Sequence, residues 1–129
     1  MLNDKTIIET EYKEMSHLDY LLILYIKDLR EKRKWTQQDL SNRMGVTKSF
    51  IGNVESFIQR HRYSVRHLTL LAKAFKYKSV SRLFDFPTPD HDMIRLTLKV
   101  TTMLKENGKP RSKTVEVMMV EPIEKPEEE

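Results

Sequence analysis

Lys48, Ser49 and Asn53 are the side chains of this sequence best suited to specific recognition chemistry. If the segment is helical, these three lie on one face, opposite Ile51 and Val54. An ammonium, a hydroxyl and a carboxamide side by side can read base edges. Lysine donates to guanine O6 and N7, asparagine bonds adenine twice, and serine is permissive. A plain solvated helix face would carry the same residue types, so the surrounding elements must decide. The major groove of B-DNA, about 12 Å wide, admits one helix, whose first turns meet the bases when the preceding helix crosses the backbone.

The flanking sequence supplies such elements. Ser16 with Asp19 has the form of an N-cap, and Leu18, Leu21, Leu22, Tyr25, Ile26 and Leu29 follow at helical spacing. Lys27, Arg30, Lys32, Arg33 and Lys34 load the end of that helix with the charge its dipole favours. Thr36 and Asp39 repeat the cap before a short helix carrying Leu40 and Met44, and Gly45 breaks it. Thr47 is the expected N-cap of a third helix with Ile51 and Val54 inward. Residues 55–63 read as a loop. Ser64 caps a fourth helix bearing Val65, Leu68, Leu71, Ala72 and Phe75, and Ser79 to Phe84 is expected as a fifth, stopped before Pro87.

The run WTQQDLSNRMGVTKSFIGNVE, with Leu29-Arg30 before it, resembles the helix-turn-helix of the phage-repressor family, also termed Cro/repressor-like or XRE. The resemblance covers about residues 18–86. It implies a mainly α fold, a five-helix repressor-like bundle that binds double-stranded operator DNA, generally as a dimer. Carried onto this chain, it assigns base reading to the helix face of Lys48, Ser49, Phe50 and Asn53. Phe50 has two roles open to it, contact with a thymine methyl or the core. Gln37 is implied as a phosphate contact, and Arg60, His61, Arg62 and Tyr63 as a grip on the backbone. Thr47 is open to capping or to phosphate binding. Arg30 and Glu55 occupy positions that form a buried or half-buried ion pair in the family. Where the family often has glycine after that glutamate, this chain has Ser56-Phe57.

After Pro87 the period changes from helical to alternating, so a C-terminal β-hairpin is expected to follow the bundle. Asn107-Gly108 is a favourable two-residue turn, and centring it there pairs Val100 with Val115, Leu98 with Val117 and Leu96 with Met119. All six are apolar and share one face in this register. An isolated hairpin is marginal in water, so that face needs a cover. A second copy of the chain would provide it, and would also space two recognition helices for half-sites about 34 Å apart. Packing on the chain's own helices is the competing arrangement. The expected layout is a flexible N-terminal arm at 1–15, the helix-turn-helix domain at 16–86, a linker at 87–92, the hairpin at 93–121 and a disordered acidic tail at 122–129.

Charge is segregated. Residues 18–86 hold 14 basic and 6 acidic side chains, while residues 1–17 hold 2 and 4 and residues 87–129 hold 7 and 9. A basic middle between acidic ends fits a polyanionic partner. Cysteine is absent, which removes disulfides, thiolate metal sites and cysteine nucleophiles and fits a reducing compartment. The longest apolar stretch, Tyr20 to Ile26, has seven residues, far short of a membrane span. The N-terminus lacks signal-peptide order, so a cytoplasmic protein without membrane contact is expected. His17, His61, His67 and His91 are scattered, and no phosphate loop, dinucleotide fingerprint or nucleophile motif is present. Neither catalysis nor a cofactor or metal is expected, and Asp90-His91-Asp92 reads as a linker cluster. The alternative to an operator-binding dimer is an antitoxin-type module that couples DNA binding to a small basic protein through residues 90–129.

Overall fold

The computed structural model describes residues 5–123, which form two units: Ser16–Asp92, and residues 5–15 with 93–123. The first unit is helical. It contains α1 (His17–Lys32), α2 (Gln37–Met44), α3 (Phe50–Glu55), α4 (Val65–Ala74) and a 3₁₀ turn at Val80–Phe84. The expected five-helix bundle is therefore corrected to four α-helices and a 3₁₀ segment, accompanied by a three-stranded antiparallel sheet. Five residues between Ser79 and the Pro87 region are too few for a stable α-helix and close as the tighter 3₁₀ form instead.

Caps define most of the helix starts. The Ser16 hydroxyl accepts from Asp19 N–H at 2.9 Å. In α2 the exchange is reciprocal, Thr36 accepting from Asp39 N–H and the Asp39 carboxylate from Thr36 N–H. Those hydrogen bonds, the backbone one first, hold the Asp39 carboxyl below its ordinary value. In α4 a histidine replaces the usual acidic partner: Ser64 N–H donates to His67 Nδ1 at 2.9 Å. Val65, expected inward, is 84% exposed because it lies in the first turn beyond the packed stripe. The core of this unit includes Ile23, Ile26, Leu40, Ile51, Val54, Leu71, Phe75 and Leu83. Its two chain ends meet where His17 N–H donates to Asp92 carbonyl at 2.8 Å and the His17 and His91 rings stack.

The second unit is the sheet, in the order β1 (Thr6–Ser16), β2 (Met93–Leu104), β3 (Pro110–Pro122). The flexible arm expected at 1–15 is thus a strand over its described part. Its sequence, TIIETEYKEMS, puts Ile7 and Ile8 on opposite faces and charged residues on both, so alternation alone gave no signal. The Leu104 N–H donating to Lys5 carbonyl and the Arg95–Glu14 ion pair at 3.3 Å both run with an antiparallel β1 beside β2. Pairing with a central strand some 80 positions away is what orders it.

β2 and β3 pair antiparallel with Val100 opposite Val115 and Leu98 opposite Val117. Leu96, however, faces Val120, not Met119, because a bulge between Thr97 and Leu98 leaves Met118 as an extra residue. Met119 consequently lies opposite Thr97 on the other face. The turn also differs: Lys105 N–H donates to Lys109 carbonyl, enclosing Glu106, Asn107 and Gly108, with Gly108 at φ 81°. The C-terminal part of the expected acidic tail, residues 124–129, lies outside the described residues, while Pro122 ends β3.

Candidate nucleic-acid interface

α3 is only six residues long and has no side-chain cap. The expected Thr47 cap is replaced by a backbone turn, Phe50 N–H to Thr47 carbonyl at 3.1 Å, with Ser49 as the N-terminal flanking residue. A helix this short does not hold itself together in water. α2 holds it instead. Gly45 ends α2 in the left-handed region at φ 73°, which lets the chain reverse, and Ile51 and Val54 are fully buried. Ser41, also fully buried, accepts from Ile51 N–H at 3.2 Å and so ties the middle of α2 to the start of α3. Sequence reasoning missed Ser41; a small hydroxyl beside the apolar Leu40 and Met44 was the available signal.

Ile51 and Val54 are inward, Lys48 and Ser49, in the turn before α3, are exposed, and Asn53, within α3, is half-buried. Lys48 has no ion-pair partner among the described residues. Phe50 is half-buried and turns toward the start of α4, its ring 4.5 Å from His67, 6.1 Å from Tyr63 and 6.4 Å from His61 between centroids. Of its two open roles, the structure places it in this aromatic cluster. Burial, and then the neighbouring Arg66 charge, lower the His67 pKa from its ordinary value.

Arg30 and Glu55 meet in a bidentate pair, Nε to Oε2 at 3.0 Å and Nη2 to Oε1 at 2.8 Å, in a buried setting. The remaining guanidinium edge donates to the Trp35 carbonyl at 2.7 Å. The hydrogen bond to Glu55 raises the Arg30 pKa, outweighing burial. Gln37 also donates to Glu55 Oε1, at 3.1 Å, and its Oε1 would lie 3.1 Å from a Cβ at Gly52. Gln37 therefore stands at the border of α3, with its amide nitrogen engaged by Glu55. The chain end of α1, the start of α2 and the end of α3 are locked by one network.

The loop expected to grip phosphate divides. Arg60 and His61 are exposed. Arg62 is half-buried and its guanidinium donates to the Gln59 and His61 carbonyls at 3.2 and 2.9 Å, so it braces its own loop; burial lowers its pKa. Tyr63 is buried, and its hydroxyl has no hydrogen-bond partner among the described residues, so the expectation of a surface phosphate donor there is corrected. Burial and the Glu55 charge push its pKa strongly upward. The Ser56-Phe57 departure has a visible consequence: Phe57 takes the left-handed position at φ 61° that glycine adopts readily, and its ring packs 5.5 Å from Tyr20.

Of the six residues expected as a dimer face, Leu96, Leu98 and Val100 are at most 2% exposed within the single chain. Val115 and Val117 are half-buried and Met119 is 52% exposed on the other face. The β2 half of this stripe is thus already enclosed within the single chain, so a second copy is not needed to cover it. The exposed apolar run of β3 is Met118, Met119 and Val120.

Among the described residues no helix is long and apolar enough to cross a membrane, and no group of three or more acidic or histidine side chains could hold a metal ion. Residues 26–83 match the family described as helix-turn-helix. Among solved structures, the chain is similar to a hypothetical transcription factor, NHTF, from Neisseria, at 16% identity over 60% of this chain and 85% of that chain. The TM-score of 0.46 is too low for that likeness to bear on function. No curated protein matches the chain. The helix-turn-helix match at residues 26–83 takes in α2 and α3 and spans less than half of the chain.

Proposed function

We propose that the protein is a sequence-specific operator-binding regulator, acting as a repressor, in which α3 reads the major groove. The observation that carries this reading is the pairing of α2 and α3 across Gly45. It buries Ile51 and Val54 completely and leaves Lys48 and Ser49 exposed and Asn53 half-buried. Lys48 addresses guanine, Asn53 adenine, and Ser49 either. Gln37, Thr47, Arg60 and His61 hold the phosphates on either side, and these contacts set orientation without adding sequence information.

The regulator acts as a homodimer on a pseudo-palindromic site. The segment of residues 93–121 open to a second copy is Met118, Met119 and Val120, exposed by 40–57%. The test is selection from a random duplex pool by wild type and by Lys48→Ala/Asn53→Ala, with circular dichroism as the folding control. Enrichment of a pseudo-palindrome that the double variant loses is the expected result. Salt-sensitive, sequence-blind binding by wild type would refute operator reading. Sedimentation as a monomer at tens of micromolar would refute the homodimer.

A further inference from the structure

We propose that the ends of α1, α2 and α4 and the 3₁₀ turn form a second phosphate contact, an arginine–aromatic ladder that grips the DNA backbone outside the reach of α3. This rests on the DNA-binding reading above and adds a surface to it. The rings of Trp35, Phe75 and Tyr77 stack in succession, with centroids 5.3 and 5.8 Å apart and planes within 23° and 21°. Three guanidinium groups lie against them. Arg43 sits 4.1 Å over Trp35, Arg82 sits 4.7 Å over Tyr77, and Arg33 lies 4.9 Å from the Phe75 centroid while donating to the Phe75 carbonyl at 3.0 Å. All three arginines are exposed, and none forms an ion pair with a carboxylate among the described residues.

A guanidinium resting on a ring face keeps N–H groups for an outside acceptor. Its planar fork matches phosphate bidentately, and stacking has already restricted the side chain, so less freedom is lost when phosphate binds. Asp39 lies within electrostatic reach of Arg43, but none of the three cations is ion-paired among the described residues, so they repel one another and a polyanion relieves that repulsion.

The backbone adds an independent observation. α1 and α4 close identically, with Trp35 N–H bonded to Arg30 carbonyl and Tyr77 N–H to Ala72 carbonyl. In both closures the left-handed residue is a lysine, Lys34 at φ 58° and Lys76 at φ 59°, where glycine would avoid the strain. Two further charges thus flank the ladder in a conformation that is strained for a residue with a Cβ. The ladder is also continuous with the α3 border: Trp35 accepts from Arg30, which is paired to Glu55, and Gln37 two positions on reaches the same carboxylate.

The test measures affinity of the full chain for its selected duplex by fluorescence anisotropy across a salt series. Wild type is compared with Arg43→Gln/Arg82→Gln and with Arg43→Lys/Arg82→Lys; neither guanidinium donates to a backbone carbonyl among the described residues, and thermal melts check folding. The Gln variant is expected to lower the slope of log affinity against log salt by about two units. Its affinity at 0.1 M salt should fall by about ten- to a hundredfold, with base preference unchanged. The Lys variant, which keeps charge but loses the flat stack, should retain the slope and bind less tightly than wild type. Unchanged slope and affinity in the Gln variant, while Lys48→Ala/Asn53→Ala abolishes selection, would overturn the ladder and leave operator reading intact. Absence of duplex binding by wild type would overturn both. A Gln variant that loses binding only to single-stranded RNA or to an acidic protein would also overturn it.

Discussion

The helical unit and the sheet solve the same problem, satisfying backbone polar groups around an apolar core, in opposite ways. In Ser16–Asp92 the helix ends are closed by side chains three positions away, as with Thr36 and Asp39 or Ser64 and His67. In the sheet, β1 finds its partner strand some 80 positions later, and nothing near it in sequence closes its hydrogen bonds. Local closure leaves the helical surface free to be strongly basic, while the sheet spends its apolar residues on the central strand. Only α3 departs from this pattern within the helical unit. It lacks a cap and depends on Ser41, Ile51 and Val54, as a strand depends on its neighbours.

The largest effect expected is at the charge network that holds α3 to α1. Arg30→Ala should destabilise the helical unit by about 3–5 kcal/mol by leaving Glu55 buried and unpaired, measured by urea unfolding. Arg30→Met/Glu55→Leu should cost distinctly less, and equal losses in the two would contradict a desolvation origin. In the sheet, Leu98→Ala removes a fully buried side chain and should cost about 2–5 kcal/mol. Hydrogen exchange should then accelerate along β2 and leave the caps of α2 and α4 protected. Equal acceleration in both units would show that they are not stabilised separately.

Ser41→Ala sharpens the position of α3. It orphans the Ile51 N–H and should cost about 1–3 kcal/mol, weakening DNA binding more than the loss of stability alone explains. The smallest effect concerns His67. Its folded pKa lies below the ordinary 6.5, so the fold disfavours its protonated form. The stability this contributes is complete above about pH 6.5 and is lost as pH falls from there toward the folded value. His67→Gln, which can still accept from Ser64 N–H, should flatten the urea midpoint between pH 7.5 and 5. A midpoint that falls as steeply in the variant would assign the pH dependence to another group.

Much of this was legible in the chain. Ser16, Thr36 and Ser64 announce helix starts because a cap acts within three residues, and Asn107-Gly108 marks a reversal because only certain residues tolerate its backbone. Alternation along Ile94, Leu96, Leu98 and Val100 marked β2 for the same reason, since each inward residue is two positions from the next. The inward positions of Ile51 and Val54 followed from helical spacing once Gly45 had been recognised as a break. The Arg30–Glu55 geometry came from elsewhere: a family resemblance pointed to those positions, 25 residues apart, which no local pattern joins.

The remaining features were settled by distant parts of the chain. β1 is a strand because β2 offers it an edge, although its own residues alternate only weakly. One extra residue at Met118 turned Met119 to the opposite face, which a register counted from the turn could not register. Tyr63 left the surface for the neighbourhood of Arg30 and Glu55, and Ser41 became the link between α2 and α3. The stacking of Trp35 on Phe75 and Tyr77, with Arg33, Arg43 and Arg82 against them, likewise exists only in the folded chain. The division has one physical reason: caps, turns and alternation act over a few bonds, whereas burial, ring stacking and strand pairing depend on which distant segments the fold brings together.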